Sequence, residues 1–248
     1  VDVIVYAPTV GNKYGNVEAY VQASESSGDY YIKYSFTYEN KGVNDYDYYN
    51  GKSNSQNNKD LYRIVGASLV KKNSDGSFGG SIFDVLATGE ISLAASESWK
   101  GTHAKDFVGG FHGDENMVFV DFFADGVRID TTQAGKYEGI THFEMIESTI
   151  INRCDTEEND VMLHNQKYLV NTLGIKLEQQ VEFLAEDYQP RVDDTYLQMA
   201  TVYRINTALK SASTVNDDAN LIGAYARLLD ANGGENLYVD VTADDYDY

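Results

Sequence analysis

A chain of 248 residues with 42% hydrophobic side chains, two prolines and strong apolar periodicity is not disordered, and it is long enough to bury one full core. Its formal net charge of -20 excludes nucleic acid and anionic membrane as partners, because both are held by lysine and arginine neutralising phosphates. No run approaches about 18 consecutive apolar residues and no basic-then-apolar leader is present, so neither a transmembrane helix nor a signal peptide is expected.

Taken in chain order, Val17 to Ala23 and Tyr30 to Glu39 alternate apolar with polar residues, and Ser26-Ser27-Gly28-Asp29 supplies turn chemistry between them. The pair predicts a β-hairpin. Lys41 to Lys59 is rich in Asn, Asp, Gly, Ser and Tyr without apolar period, which predicts a long surface loop over 41–59; Tyr46, Tyr48 and Tyr49 in it are candidate sugar-stacking rings. Leu61 to Val70, Phe78 to Leu86 and Glu90 to Ala95 read as strands, and Ser96 to Asp106 as loop. The run Met117 to Phe123 is bulky and β-branched; Ala124-Asp125-Gly126 turns it, and Val127 to Asp130 returns as its partner.

Ile140 to Arg153 alternates, with Phe143, Met145, Glu147, Thr149 and Ile151 on one face. Val161 to Val170 does the same and gathers Met162, His164, Gln166, Tyr168 and Val170. Ile175 to Glu186 suits either period, and the spacing of Leu177, Val181 and Leu184 favours a helix. Tyr196 to Ile205, Leu221 to Leu229 and Leu237 to Val241 read as strands before an acidic, tyrosine-rich end. So many strands with hardly any helix and no short repeat predict one all-β domain over 1–248, an antiparallel β-sandwich of the jelly-roll, lectin or polysaccharide-lyase type rather than a β-helix. The lone Cys154 reads as a buried free thiol, and the missing initiator Met suggests a processed or excised piece.

The densest chemistry precedes the strand from Met117. Phe107-Val108-Gly109-Gly110-Phe111-His112-Gly113-Asp114-Glu115-Asn116 sets a histidine, two carboxylates and an amide among glycines, which suits ligand contact with His112, Asp114, Glu115 and Asn116 or a simple bulge. The spacing matches no zinc signature, so the metal is left unknown; no cofactor is expected beyond Ca2+, which acidic surfaces attract. On the second face, His164, Gln166 and Tyr168 recur about every 6.6 Å along a strand, close enough to address one sugar. A uronate elimination needs a base, a carboxylate neutraliser and an acid, and these residue types with Arg63 can fill those roles. The same face also reads as an ordinary solvated sheet surface, the plainer of the two readings. His142 and Glu144 form a lesser pair of the same kind.

The order Leu61-Tyr62-Arg63-Ile64, then the GGFHGDE stretch from Gly109 to Glu115, then Tyr196-Leu197-Gln198-Met199 resembles tail-fibre or minor tail proteins of bacteriophages that carry a polysaccharide-lyase-like jelly roll. The resemblance covers residues 30 to 205 and departs from such lyases where their histidine-glutamine pair stands here as His164-Asn165-Gln166. It implies a virion tail or extracellular component, a homo-oligomer that is trimeric if a fibre, contacting a cell-surface polysaccharide through His112, Asp114 and Glu115. Three readings follow: a carbohydrate-recognising receptor-binding or adhesion domain, a polysaccharide lyase, or a structural virion or surface protein.

Overall fold

The computed structural model describes residues 1–23, 28–47, 52–84, 92–96, 107–109, 115–153, 156–185, 195–199, 224–229 and 235–241. Its contacts divide the chain into two units, Val1–Thr201 and Val202–Tyr248. Regular structure in the described residues is all β.

The first strands are β1 (Asp2–Val5), β2 (Val17–Gln22), β3 (Tyr30–Asp47) and β4 (Lys52–Lys71). β2 and β3 form the hairpin read from their alternation, antiparallel from Val17↔Phe36 to Gln22↔Tyr31. The stretch expected as a loop over 41–59 is instead mostly ladder, since β3 and β4 remain paired from Lys41↔Lys59 to Asp47↔Lys52. Backbone groups make that ladder whatever the side chains are, so a polar composition erased the alternation without erasing the strand. Of the three loop tyrosines, Tyr48 and Tyr49 lie outside the described residues, and Tyr46 is described as backbone.

Next come β5 (Phe83–Asp84), β6 (Ser92–Ser96), β7 (Phe107–Val108), β8 (Glu115–Ala124), β9 (Val127–Ile129) and β10 (Gly135–Tyr137). The β8–β9 hairpin turns at Asp125 (φ 48°) and Gly126 (φ 79°), the two positive dihedrals of a type I′ turn. Three long antiparallel strands follow, β11 (His142–Arg153), β12 (Thr156–Asn171) and β13 (Gly174–Phe183). The expected helix over Ile175 to Glu186 is therefore a strand. Its pairing with β12, unbroken from Asn171↔Gly174 to Met162↔Phe183, selects the two-residue period that the apolar spacing alone left open.

The main sheet has eleven strands along the path β10-β1-β2-β3-β4-β8-β11-β12-β13, with β5 on β4 and β9 on β8. It is antiparallel except at β4–β8, which pair in parallel through Lys59↔Glu115 and Asp60↔Asn116 alone. Its end strands β10 and β13 do not pair with each other, so it is not closed into a barrel. Its two halves share one core: Phe36 of β3 meets Phe143 of β11 and Tyr168 of β12 at ring separations of 5.4 and 5.5 Å, and Tyr62 of β4 meets Phe122 of β8 at 4.8 Å. Each such ring contributes about 1.5–3 kcal/mol through burial, which holds the halves together beyond the short parallel seam. A second apolar cluster joins Leu93 of β6 to Ile151, Val161 and Met162. β6 belongs to a three-stranded sheet ordered β14-β6-β7, with β14 spanning Thr195–Met199. In the second unit, β15 (Ala224–Leu229) and β16 (Glu235–Val241) form an antiparallel hairpin.

Candidate functional site

The core-facing rows of β11 and β12 carry a polar stretch between apolar positions, Phe143 and Met145 on one side and Ile151 and Met162 on the other. Glu147 stands opposite Gln166 and Thr149 opposite His164, and all four are buried. The Nδ1 of His164 lies 2.9 Å from the Glu115 carboxylate, brought in by β8, and the Thr149 hydroxyl donates to the same carboxylate oxygen. The other ring nitrogen of His164 lies 2.9 Å from Oε1 of Gln179 on β13. Glu147 accepts the Tyr62 N–H at 2.6 Å and the Gln166 amide at 2.6 Å. The Tyr62 bond falls two residues beyond the last β4–β8 pair, so the Glu147 side chain takes over where the parallel ladder stops.

The electrostatics separate the two carboxylates. Burial pushes the Glu147 acid well above its ordinary value, the Glu115 charge adds to the shift, and the hydrogen bonds from Tyr62 and Gln166 only partly oppose it. Burial therefore favours the protonated over the charged form of Glu147, and the amide of Gln166 has both a donor and an acceptor to offer it. Burial works against a charged His164, yet its hydrogen bond to Glu115 and that carboxylate's charge, with Gln179, raise its pKa above the ordinary 6.5. Both ring nitrogens face oxygen acceptors, the arrangement that suits imidazolium. Tyr168 is 2% exposed, and burial with the charges of Glu147 and Glu115 raises its pKa far above the tyrosine norm, so it stays protonated.

The structure thus brings together Glu115, His164, Gln166 and Tyr168, but inside the core. At 2% and 7% exposed, His164 and Gln166 are enclosed by packed side chains, where a polymer does not reach them, and the face is not a solvated surface. The physical reason is the shared core, which turns this row of β12 inward together with its apolar members Met162, Tyr168 and Val170. Arg63 is separate, its guanidinium joined to Glu39 on the neighbouring strand. Asn116 bonds Asn152, which in turn bonds Asp160. His142 and Glu144 lie at the half-exposed start of β11, near Asp125 and Lys167 respectively. His112, Asp114 and Cys154 lie outside the described residues. Gly109 does show the close approach its type permits: at φ +100°, a Cβ there would stand 2.6 Å from the Leu93 carbonyl oxygen.

An open cavity of about 480 Å³ lies elsewhere, at the β8–β9 hairpin, lined by Tyr14, Val120, Asp121, Arg128, Asp130 and Thr132 among others. Arg128 is 71% exposed and binds Asp121 at 2.6 Å. Asp130 caps its own turn by accepting from Thr132 and Gln133, and those bonds, the Thr132 hydroxyl first, hold its carboxyl below the ordinary range. Tyr14 leans on Tyr38 and Tyr62 with Lys13 Nζ 4.8 Å over its ring. Gly15 permits the crossing beside it, because a Cβ there would fall 1.7 Å from the Tyr6 carbonyl oxygen. The sequence signal for this groove was the pair of aspartates flanking the Ala124-Asp125-Gly126 turn; nothing local brought Tyr14 to them.

Comparison with known protein families, curated proteins and solved structures finds no match for this chain. Among the described residues, no three or more His, Cys, Asp or Glu side chains converge to hold a metal ion, and no helix is long and apolar enough to cross a membrane.

Proposed function

We propose that this chain is a carbohydrate-recognising β-sandwich of jelly-roll type that serves as a receptor-binding or adhesion domain, in a phage tail or another extracellular setting, and contacts a cell-surface polysaccharide. The observation that carries the reading is the groove at the β8–β9 hairpin. It sets an aromatic ring, two carboxylates and a guanidinium around an open cavity of the size that holds a small ligand. Carboxylates accept from sugar hydroxyls and an aromatic ring packs against the apolar face of a pyranose, so these groups suit a saccharide. Ionised Asp130 and the overall charge of -20 disfavour polyanionic glycans, which makes a neutral polysaccharide the favoured ligand. The two sheet halves facing each other across one core support the sandwich reading.

Elimination chemistry draws no support from the described residues, because His164, Gln166 and Tyr168 are enclosed and Tyr168 is held protonated. The test is retention of the protein on immobilised neutral and uronate-containing glycans, with ultraviolet absorbance of the unsaturated elimination product followed in parallel. We expect retention on a neutral glycan that Asp121→Asn with Asp130→Asn abolishes while the circular dichroism is unchanged. Retention indifferent to both substitutions removes the groove from the function, and a rise in absorbance replaces binding by cleavage.

A further inference from the structure

Strand β13 ends the path of the main sheet and, among the described residues, pairs only with β12. The Leu184 N–H donates to the carbonyl of Val161, its opposite residue, which fixes the parity of the ladder. In an antiparallel pair such directly bonded positions alternate, so even-numbered residues of β13 address β12, while Ile175, Leu177, Gln179, Val181 and Phe183 turn their backbone groups to the outer edge. The strand and the turn that leads into it also show apolar side chains to water: Leu173 of the turn is 95% exposed, and Phe183 and Ile175 of the strand are 55% and 37% exposed.

We propose that this edge binds a second copy of the chain, β13 pairing antiparallel with β13 about a twofold axis through Gln179, so that the sheet continues from one copy into the next. The residues themselves select that register. Outward positions must meet outward positions, which leaves two centres that overlap nine residues of the strand, Glu178 and Gln179. Centring on Glu178 puts that carboxylate against its own copy. Centring on Gln179 opposes Lys176 to Glu182, Glu178 to Gln180, Leu177 to Val181 and Ile175 to Phe183, with no like charges opposed. Lys176 and Glu182 then fall at a non-hydrogen-bonded position, where opposite side chains come closest, and the twofold makes this ion pair twice. In the single chain Lys176 binds Glu178 at 2.5 Å, and its side chain is 65% exposed, so the ammonium can reach across. Charges at an edge block pairing when they repel; these attract in the register centred on Gln179. The arrangement is isologous and self-closing, so it makes a dimer rather than a filament.

The experiment is sedimentation equilibrium of the full chain over a concentration series, comparing wild type with Lys176→Glu, with Lys176→Glu plus Glu182→Lys, and with Val181→Pro. Wild type is expected to dimerise. Lys176→Glu should weaken association by about tenfold or more, and the exchanged pair should restore it. Val181→Pro deletes an edge N–H without touching the β12 ladder and should also dissociate the dimer, with circular dichroism showing the fold retained. A wild type that stays monomeric throughout, a dimer that survives both single variants, or an exchanged pair that fails to restore association overturns the proposal.

Discussion

Along β11 and β12 a single core-facing surface is built in two ways. At one end Phe143 and Met145 lie beside Tyr168 and Val170, and Phe143 packs on Phe36 and Phe122 at 5.4 and 5.9 Å. Further along, Glu147 and Thr149 lie beside Gln166 and His164, also buried, and are joined by hydrogen bonds and an ion pair. The aromatic end gains from burial in any orientation that packs. The polar stretch gains little net energy over an apolar filling, but it is costly to disturb, because each group depends on particular partners. Five of these partnerships cross between strands: Glu147 to Tyr62 and to Gln166, Glu115 to Thr149 and to His164, and His164 to Gln179. The polar stretch therefore specifies which strands sit together, whereas the aromatic end supplies adhesion.

That contrast can be tested from the largest effect to the smallest. Phe143→Ala at the aromatic end should lower stability by about 4 kcal/mol, the transfer and cavity cost of a buried ring, read from urea unfolding. His164→Leu keeps comparable volume but strands the buried Glu115, and should cost about 3 kcal/mol near neutral pH. Because the folded pKa of His164 is raised, the stability its proton contributes is fully present below its ordinary value of 6.5 and is lost as pH rises through the folded value. The His164→Leu deficit should therefore shrink on going alkaline; a deficit independent of pH would mean the charged pair is not what holds the site. Gln166→Leu leaves Glu147 one partner short and should cost about 1–2 kcal/mol.

Glu147→Gln should work the other way. Its folded pKa is raised, so between its ordinary value of 4.5 and that folded value the folded state holds a proton the unfolded state has released, and stability falls as pH rises. The amide has no proton to lose. The variant should gain on wild type steadily above pH 4.5, and a constant difference across that range would show that Glu147 folds as the anion. The smallest effect belongs to the groove, where replacing exposed Arg128 by alanine should change stability by less than about 0.5 kcal/mol.

Much of the framework was legible where side chains repeat the geometry of their strand. The alternation from Tyr30 to Glu39 and from Ile140 to Arg153 marks β3 and β11 because one face of each is buried, and Asp125-Gly126 marks its turn because few residue pairs accept two positive φ values. β13 and the polar length of the β3–β4 hairpin were illegible for a complementary reason: their ladders are made by backbone, and their side chains carry no clean period.

By itself the sequence determined an all-β chain, the positions of most strands, and the grouping of His164, Gln166 and Tyr168 on one face, since these follow from local sterics and a two-residue period. Only the tertiary structure decided which way that face looks, and that Glu115 meets His164 across 49 positions of chain. It alone set Tyr14 beside Asp121 and Asp130 in the open groove. Alternation names two faces of a strand without saying which one is covered; that is settled when the second half of the sheet packs against the first and water is excluded between them.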